Sequence, residues 1–301
     1  WLREGLADML IANLSRSDKL TVLSRIQLHS LLERQDLAKD KITLEQAKEI
    51  ARQSQAEYFM TGSFAKIGEK IRLDVSLYDS NSANLQATET LTVEKTEQIL
   101  TEIDLLSLKI SNRLNSPPTD KNNLASVMTD NLEAYRYYSL ALEKAQALQN
   151  KEAVELLEKA VALDPQFAMA HARIGYVYSI SIGLSEKGKP YLEKAFKLSE
   201  RLTEKDRLSI KAWYEIANLD FPAAIQTYRE IIAKYPLETE SYWRLGRLLD
   251  GEEKSDEAIE VLKQGLVIDS AEKNIYNHLG GIYSRFGKHA EAIAAHQRYV
   301  A

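Results

Sequence analysis

The sequence predicts two architectures in series. Residues 1–114 read as an α+β domain, with helices packed on a mixed, partly antiparallel sheet, and residues 128–301 read as an α-helical solenoid. A linker at 115–127 joins them. Three observations carry this reading. Ile71, Leu73, Val75 and Leu77 alternate with Arg72, Asp74, Ser76 and Tyr78, the period of a half-buried strand. Elsewhere apolar residues recur at helical spacing. Finally, the C-terminal part repeats a pattern of small residues at a period of 34.

The elements follow in order. Leu2, Leu6, Met9, Leu10 and Leu14 define one side of a first helix over 1–15. Leu20-Thr21-Val22-Leu23 reads as a short strand, and Ile26, Leu28, Leu31 and Leu32 as a second helix. Thr43, with Gln46 three residues on, is a capping box that opens a third helix. Two strands, Tyr58–Lys66 and the alternating run around Val75, are expected to fold back on each other at Gly68-Glu69. Ser80–Asn84 turns into a third member of this meander, Leu85–Val93. Ile99, Leu100, Ile103, Leu106, Ile110 and Leu114 mark a final helix. The polar, Pro-containing segment Asn115–Asn123 then breaks the pattern. Asp130, with Glu133 three residues later, is expected to cap the next helix.

From there successive helices carry Tyr137-Leu140-Ala141, His171-Ile174-Gly175, Tyr242-Leu245-Gly246 and Tyr276-Leu279-Gly280. Ala141 and Gly175 lie 34 residues apart, as do Gly246 and Gly280. Ala153, Ala258 and Ala292 follow 12 residues after the first, third and fourth of these small residues, each opening a second helix. This is the sequence mark of a tetratricopeptide (TPR) solenoid. Five repeats are expected, over 134–167, 168–201, 205–238 and two more to Ala301. The second has an inter-helix loop one residue longer, and the third is the most degenerate. Small residues let helices approach, and each unit buries its apolar face only against its neighbours. No polar capping helix closes the last repeat, so that end is expected to continue or to be covered, and an oligomer through it is one outcome.

Several short stretches of the N-terminal part resemble the TolB N-terminal-like domain. They are Trp1-Leu2-Arg3-Glu4-Gly5-Leu6-Ala7-Asp8-Met9-Leu10, Leu20–Arg25, Thr61-Gly62-Ser63 and the strand pair ending Leu77-Tyr78-Asp79. The resemblance covers about residues 1–114. It implies a further apolar strand ahead of Trp1, beside Leu20–Leu23. Leu85-Gln86-Ala87 stands where that family often places an aromatic residue. It also implies a setting, because in bacterial signalling proteins this domain and TPR repeats are joined to serine/threonine kinases, nucleotide cyclases or winged-helix regulators. The expected role is a non-enzymatic sensory and scaffolding region of a larger signalling protein, with any catalytic domain elsewhere. The alternative is a cell-envelope assembly or trafficking component that docks on a membrane- or peptidoglycan-associated complex. A periplasmic or extracytoplasmic location is favoured over a cytoplasmic one. The residues ahead of Trp1 would discriminate.

Composition narrows the classes. The net charge is −5, with 39 basic and 44 acidic residues spread along the chain. No basic footprint for nucleic acid emerges. No apolar run reaches the roughly 18 residues of a membrane-spanning helix. Cysteine is absent, which removes disulfides and thiolate chemistry. Gly281 and Gly287-Lys288 echo a phosphate loop, but the spacing is one residue too long and His289 replaces the required hydroxyl residue. His289 and His296 lie seven apart without a third ligand at matching spacing. Glu252-Glu253 and Asp256-Glu257 read as a solvated loop and a helix start. No catalytic residue, cofactor or metal is therefore expected.

The inward face of the first helices is the stronger candidate. Projection places Tyr135, Tyr138, Arg173, Tyr176, Trp213, Trp243, Arg244, Arg247, Asn277 and His278 along it. Aromatic residues and arginine dominate binding hot spots, and arginine can grip a carboxylate with two parallel hydrogen bonds. The bland alternative is that Tyr176 and Trp213 pack between repeats while the arginines solubilise. The expected partner is a protein or peptide, acidic or presenting its C-terminal carboxylate. Trp243, Arg244 and Arg247 are expected to anchor it, completed by Asn277 and His278.

Overall fold

The computed structural model describes residues 1–17, 19–35, 37, 42–68, 70–118 and 127–300. The chain divides into two compact units, Trp1–Ala170 and His171–Ala301. Residues 119–126 of the expected linker lie outside the described residues.

Unit 1 begins with α1 (Leu2–Leu14), α2 (Arg25–Arg34) and α3 (Leu44–Gln53). Thr43 and Gln46 form the expected capping box on α3, and Ser24 with Gln27 forms a second on α2. The strands β1 (Tyr58–Ile67), β2 (Lys70–Asp79) and β3 (Leu85–Val93) make an antiparallel sheet of order β1-β2-β3. Gly68, in the tight turn between β1 and β2, has φ +63°, which glycine adopts without strain; Glu69 lies outside the described residues. Between β2 and β3, the Asp79 carboxylate accepts from the Ser82 backbone N–H at 2.8 Å and closes the Ser80–Asn84 turn.

Two expectations fail here. Leu20–Leu23 is irregular backbone, and among the described residues the sheet has three strands, all antiparallel, instead of a mixed set with a fourth. Four β-prone residues next to the charged Lys19 and Arg25 match strand propensity, but propensity alone forms no strand without a neighbour to pair with. Ile71, Leu73, Val75 and Leu77 line the buried face of β2, each at most 4% exposed. The helix α4 (Ile99–Arg113) buries Ile99, Leu100, Ile103, Leu106 and Ile110, and it packs beside β3 and α1.

Unit 1 also holds the first helix pair, α5 (Leu132–Gln146) and α6 (Asn150–Leu163), and α5 packs on α1. Asn131, not Asp130, caps α5: its side chain accepts from Ala134 N at 3.0 Å. The cap slips by one residue because an N-cap oxygen must reach the N–H three residues on.

The next four pairs are α7 (Ala168–Tyr176) with α8 (Ser185–Leu198), α9 (Glu204–Ala217) with α10 (Phe221–Lys234), α11 (Thr239–Gly251) with α12 (Ser255–Ile268), and α13 (Lys273–Arg285) with α14 (His289–Val300). The helix α7 continues as a π-type turn, Val177–Ser181. The small residues sit where helices touch. A Cβ on Gly246 would lie 2.6 Å from Leu262 Cγ, and one on Gly188 would lie 2.6 Å from the Gly175 carbonyl. Only glycine permits that approach.

Each pair is joined by three residues, and the middle one always takes a left-handed conformation. These are Leu148, Gly183, Leu219, Glu253 and Gly287, with φ between +57° and +79°. The second connector is thus no longer than the others. The extra residue of the second repeat is absorbed by the π-type turn, the usual outcome of inserting one residue into an α-helix.

The candidate partner-binding wall

The wall is read within unit 2. In α11, Glu240 and Arg244 are four apart and therefore neighbours on the helix surface. Arg244 Nε donates to Glu240 Oε1 at 2.7 Å, and Arg244 also donates to the Tyr176 hydroxyl. The Arg244 guanidinium lies 5.0 Å from the centre of the Tyr176 ring and 4.1 Å from that of Trp243. Tyr176 tilts against Trp213 with centroids 4.8 Å apart, and Arg173 sits 5.3 Å over Trp213. At the other end Trp243 stacks on His278, at 5.8 Å and 19°. The result is an unbroken course of rings and guanidinium groups, Trp213, Tyr176, Arg244, Trp243 and His278, laid across α7, α9, α11 and α13, with Arg173 over its first two rings. Cation–π contacts of this kind gain strength when shielded from water.

The electrostatics follow from burial. Burial alone would raise the Glu240 carboxyl. The Arg244 charge and hydrogen bond, aided by Arg173 and Lys205, outweigh it and hold Glu240 below its ordinary value. Arg244 is likewise held charged: burial opposes its charge, while Tyr176, Glu240 and Tyr228 support it. Burial pushes the Tyr228 phenol up. Burial and the charges of Arg247 and Arg244 lower His278, against a smaller pull from Asp250, so this imidazole favours the neutral form.

Eight of the ten expected residues thus fall in unit 2, and they divide into two kinds. Arg247 and Asn277 are exposed, and Arg173, Tyr176, Trp243 and His278 are half-buried. Arg244 and Trp213 are buried, at 4% and 6% exposure. The expectation that Arg244 anchors a partner is corrected: it is buried, and Glu240 already takes its charge. Glu240 was the missed residue, although its spacing of four from Arg244 was a readable signal.

Tyr135 and Tyr138 belong to unit 1 and are buried, at 0% and 4% exposure. Tyr135 lies near Asp8 and Arg25, and Tyr138 packs on Phe167 at 4.9 Å. They are packing residues and not wall, because helical projection cannot see that α1 covers α5. Among the described residues no group of three metal-ligating side chains occurs, and no helix is long and apolar enough to cross a membrane.

Paired helices with glycine or alanine at their crossings, and first helices lined with rings and arginine, define a TPR-type protein-interaction scaffold. Comparison with known proteins agrees for that part: residues 211–273 match the family model described as Tetratricopeptide repeat. Residues 2–75 match a second model, Curli production assembly/transport component CsgG. The N-terminal match is therefore to CsgG and not to the TolB-like domain expected from short motifs, and neither family model supports the signalling-kinase setting. No curated protein matches the chain.

Similar structures include MamA, at 22% identity over 53% of this chain and 92% of that one, with a TM-score of 0.38. Another is PilF of Pseudomonas aeruginosa, at 18% identity over 56% and 76%, with a TM-score of 0.43. YrrB, described as a TPR protein with an unusual peptide-binding site, has 19% identity over 57% and 87%, with a TM-score of 0.37. Superpositions this loose add nothing to the argument from the helices themselves.

Proposed function

We propose that this chain is a non-enzymatic scaffold within a larger bacterial protein, and that the wall of unit 2 captures an acidic peptide segment or a C-terminal carboxylate. One observation carries this reading. Exposed Arg247 and Asn277 stand beside the half-buried Trp243 and His278, on a floor whose own charge is settled by the Glu240–Arg244 pair. A preorganised floor reduces the ordering cost of binding. Arg247 supplies the anion contact, Asn277 a hydrogen bond, and the open part of Trp243 an apolar rest.

The setting we favour is extracytoplasmic, in cell-envelope assembly. The CsgG match over residues 2–75 supports it, whereas the signalling-receptor reading has no such match behind it.

The test is fluorescence anisotropy with labelled acidic peptides that carry one aromatic side chain, each with a free or an amidated C-terminus. Arg247→Glu should weaken binding by roughly 10- to 150-fold, the loss of one charge-assisted contact. Its circular dichroism should be unchanged. Equal affinity of the wild type and Arg247→Glu would remove the wall as the site.

A further inference from the structure

We infer that Gly281 is a specificity-determining position of the wall: where a side chain would stand, it leaves a notch beside Arg247 that takes an aromatic side chain of the bound peptide. This rests on the wall being the peptide site, and it names what that site selects.

The repeats show where a side chain is missing. In the first helices of unit 2, the residue after the small crossing residue stands on the wall. Tyr176 follows Gly175, Trp213 follows Ala212 and Arg247 follows Gly246. At the same place in α13, Gly281 follows Gly280. Tyr176 and Trp213, at equivalent positions of α7 and α9, touch ring to ring with centroids 4.8 Å apart. Arg247, at the equivalent position of α11, is exposed and has a glycine as its counterpart in the next first helix.

Packing does not require that glycine. A Cβ on Gly175, Gly188, Gly246, Gly265 or Gly280 would come within 2.6 Å of a neighbouring atom, so each marks a close helix contact. A Cβ on Gly281 would meet nothing within 4 Å. Gly251 is equally open, but it is the last residue of α11, where the helix ends in any case. Gly281 lies inside α13, where glycine weakens a helix relative to alanine. No fit between helices explains that cost. Close approach of a ligand does, and it is a standard use of glycine.

The notch has defined bounds. The Trp243–His278 stack and the Asp250–Arg285 ion pair join α11 to α13 on either side of it. Helical side chains lean toward the N-terminus, so a side chain at position 281 would lie over Asn277 and His278. Without one, Asn277 is exposed and His278 is half-buried. A ring placed there extends the course by the contacts that already build it: ring on ring, as in Trp243–His278, and guanidinium on ring, as in Arg244–Trp243. An aliphatic side chain would gain burial alone. Arg247 can serve both ends of such a ligand, because a guanidinium receives a carboxylate at its edge and a ring on its face.

The test uses the full chain and two labelled acidic peptides with free C-termini, identical except that one ends in phenylalanine and the other in alanine. By fluorescence anisotropy the wild type should bind the phenylalanine peptide about tenfold more tightly. Gly281→Leu should fill the notch and bring the phenylalanine peptide down to the affinity of the alanine peptide. The same substitution should raise the melting temperature, because leucine is much the better helix former at an open position. Lost selectivity together with gained stability excludes damage to the fold.

A preference for phenylalanine that survives Gly281→Leu would overturn the proposal. So would equal binding of the two peptides by the wild type, or a lower melting temperature of Gly281→Leu, which would mean that packing holds the glycine. In each of these cases weaker binding by Arg247→Glu would still keep the wall as the site, so the two readings fail separately. Binding of neither peptide would remove the wall and the notch together.

Discussion

The sheet of unit 1 and the wall of unit 2 expose different chemistry. A helix satisfies its own backbone along its length, so the wall can recognise a partner only through side chains. There the side chains are largely spoken for: Arg244 is held by Glu240 and Tyr176, and Trp213 is buried. A strand satisfies half of its backbone groups through each neighbour. Among the described residues β1 has a strand neighbour on one side, and Phe64 on its inner face is 41% exposed. Recognition by the wall is therefore expected to depend on charge and salt.

This contrast can be broken most forcefully at Arg244. Arg244→Leu leaves Glu240 without its partner in a poorly solvated place and should destabilise by about 3 kcal/mol, read in denaturant unfolding. Hydrogen exchange should quicken in α11 and not in β2. The double change Arg244→Leu with Glu240→Leu should recover most of the loss. If Arg244→Leu is neutral, the buried pair is not what holds the wall.

Acid sharpens the same point. Glu240 is lowered in the folded protein, so its contribution is complete above the usual value of 4.5 and is lost as pH falls through its folded value. The double leucine variant should lose less stability in that window than the wild type, measured by urea titration at successive pH values.

Gly246→Val should cost about 2–3 kcal/mol by forcing Leu262 aside. In unit 1, removing a cap is a smaller perturbation: Thr43→Ala should cost about 1 kcal/mol. Thermal melts that rank these two the other way would undo the claim that close helix contact is the more demanding constraint.

The smallest effect runs in the opposite direction. Leu219 holds φ +62° at an inter-helix turn with its side chain 68% exposed. Leu219→Gly should stabilise by about 0.5–1 kcal/mol, the left-handed strain relieved less the extra freedom of glycine in the unfolded chain. A destabilised Leu219→Gly would mean that this leucine packs in a way that its exposure conceals.

Much of the architecture was legible in the residues. Alternation marked β2, with inner positions Ile71 to Leu77 all buried. The small-residue period marked helix contacts, because a Cβ at Gly246 has nowhere to go. Thr43 and Gln46 announced their own capping box. These signals are local, or repeat at a fixed spacing, and each reflects a steric or hydrogen-bonding need met within a turn or two of chain. What stayed hidden depended on residues far apart in sequence. Leu20–Leu23 had strand propensity and, among the described residues, found no strand to join. Tyr135 had a helical phase that pointed to a wall, and α1 packs on its helix instead. The extra residue of the second repeat could sit in the loop or in the helix, and packing of α7 and α8 around Gly175 and Gly188 put it in the π-type turn. Arg244 looked like a ligand grip, and only the approach of Tyr176, 68 residues away, made it a structural cation. Sequence alone determined which faces must be buried, since that is set by side-chain type and period. Tertiary structure decided what buries them, because that depends on which distant element arrives.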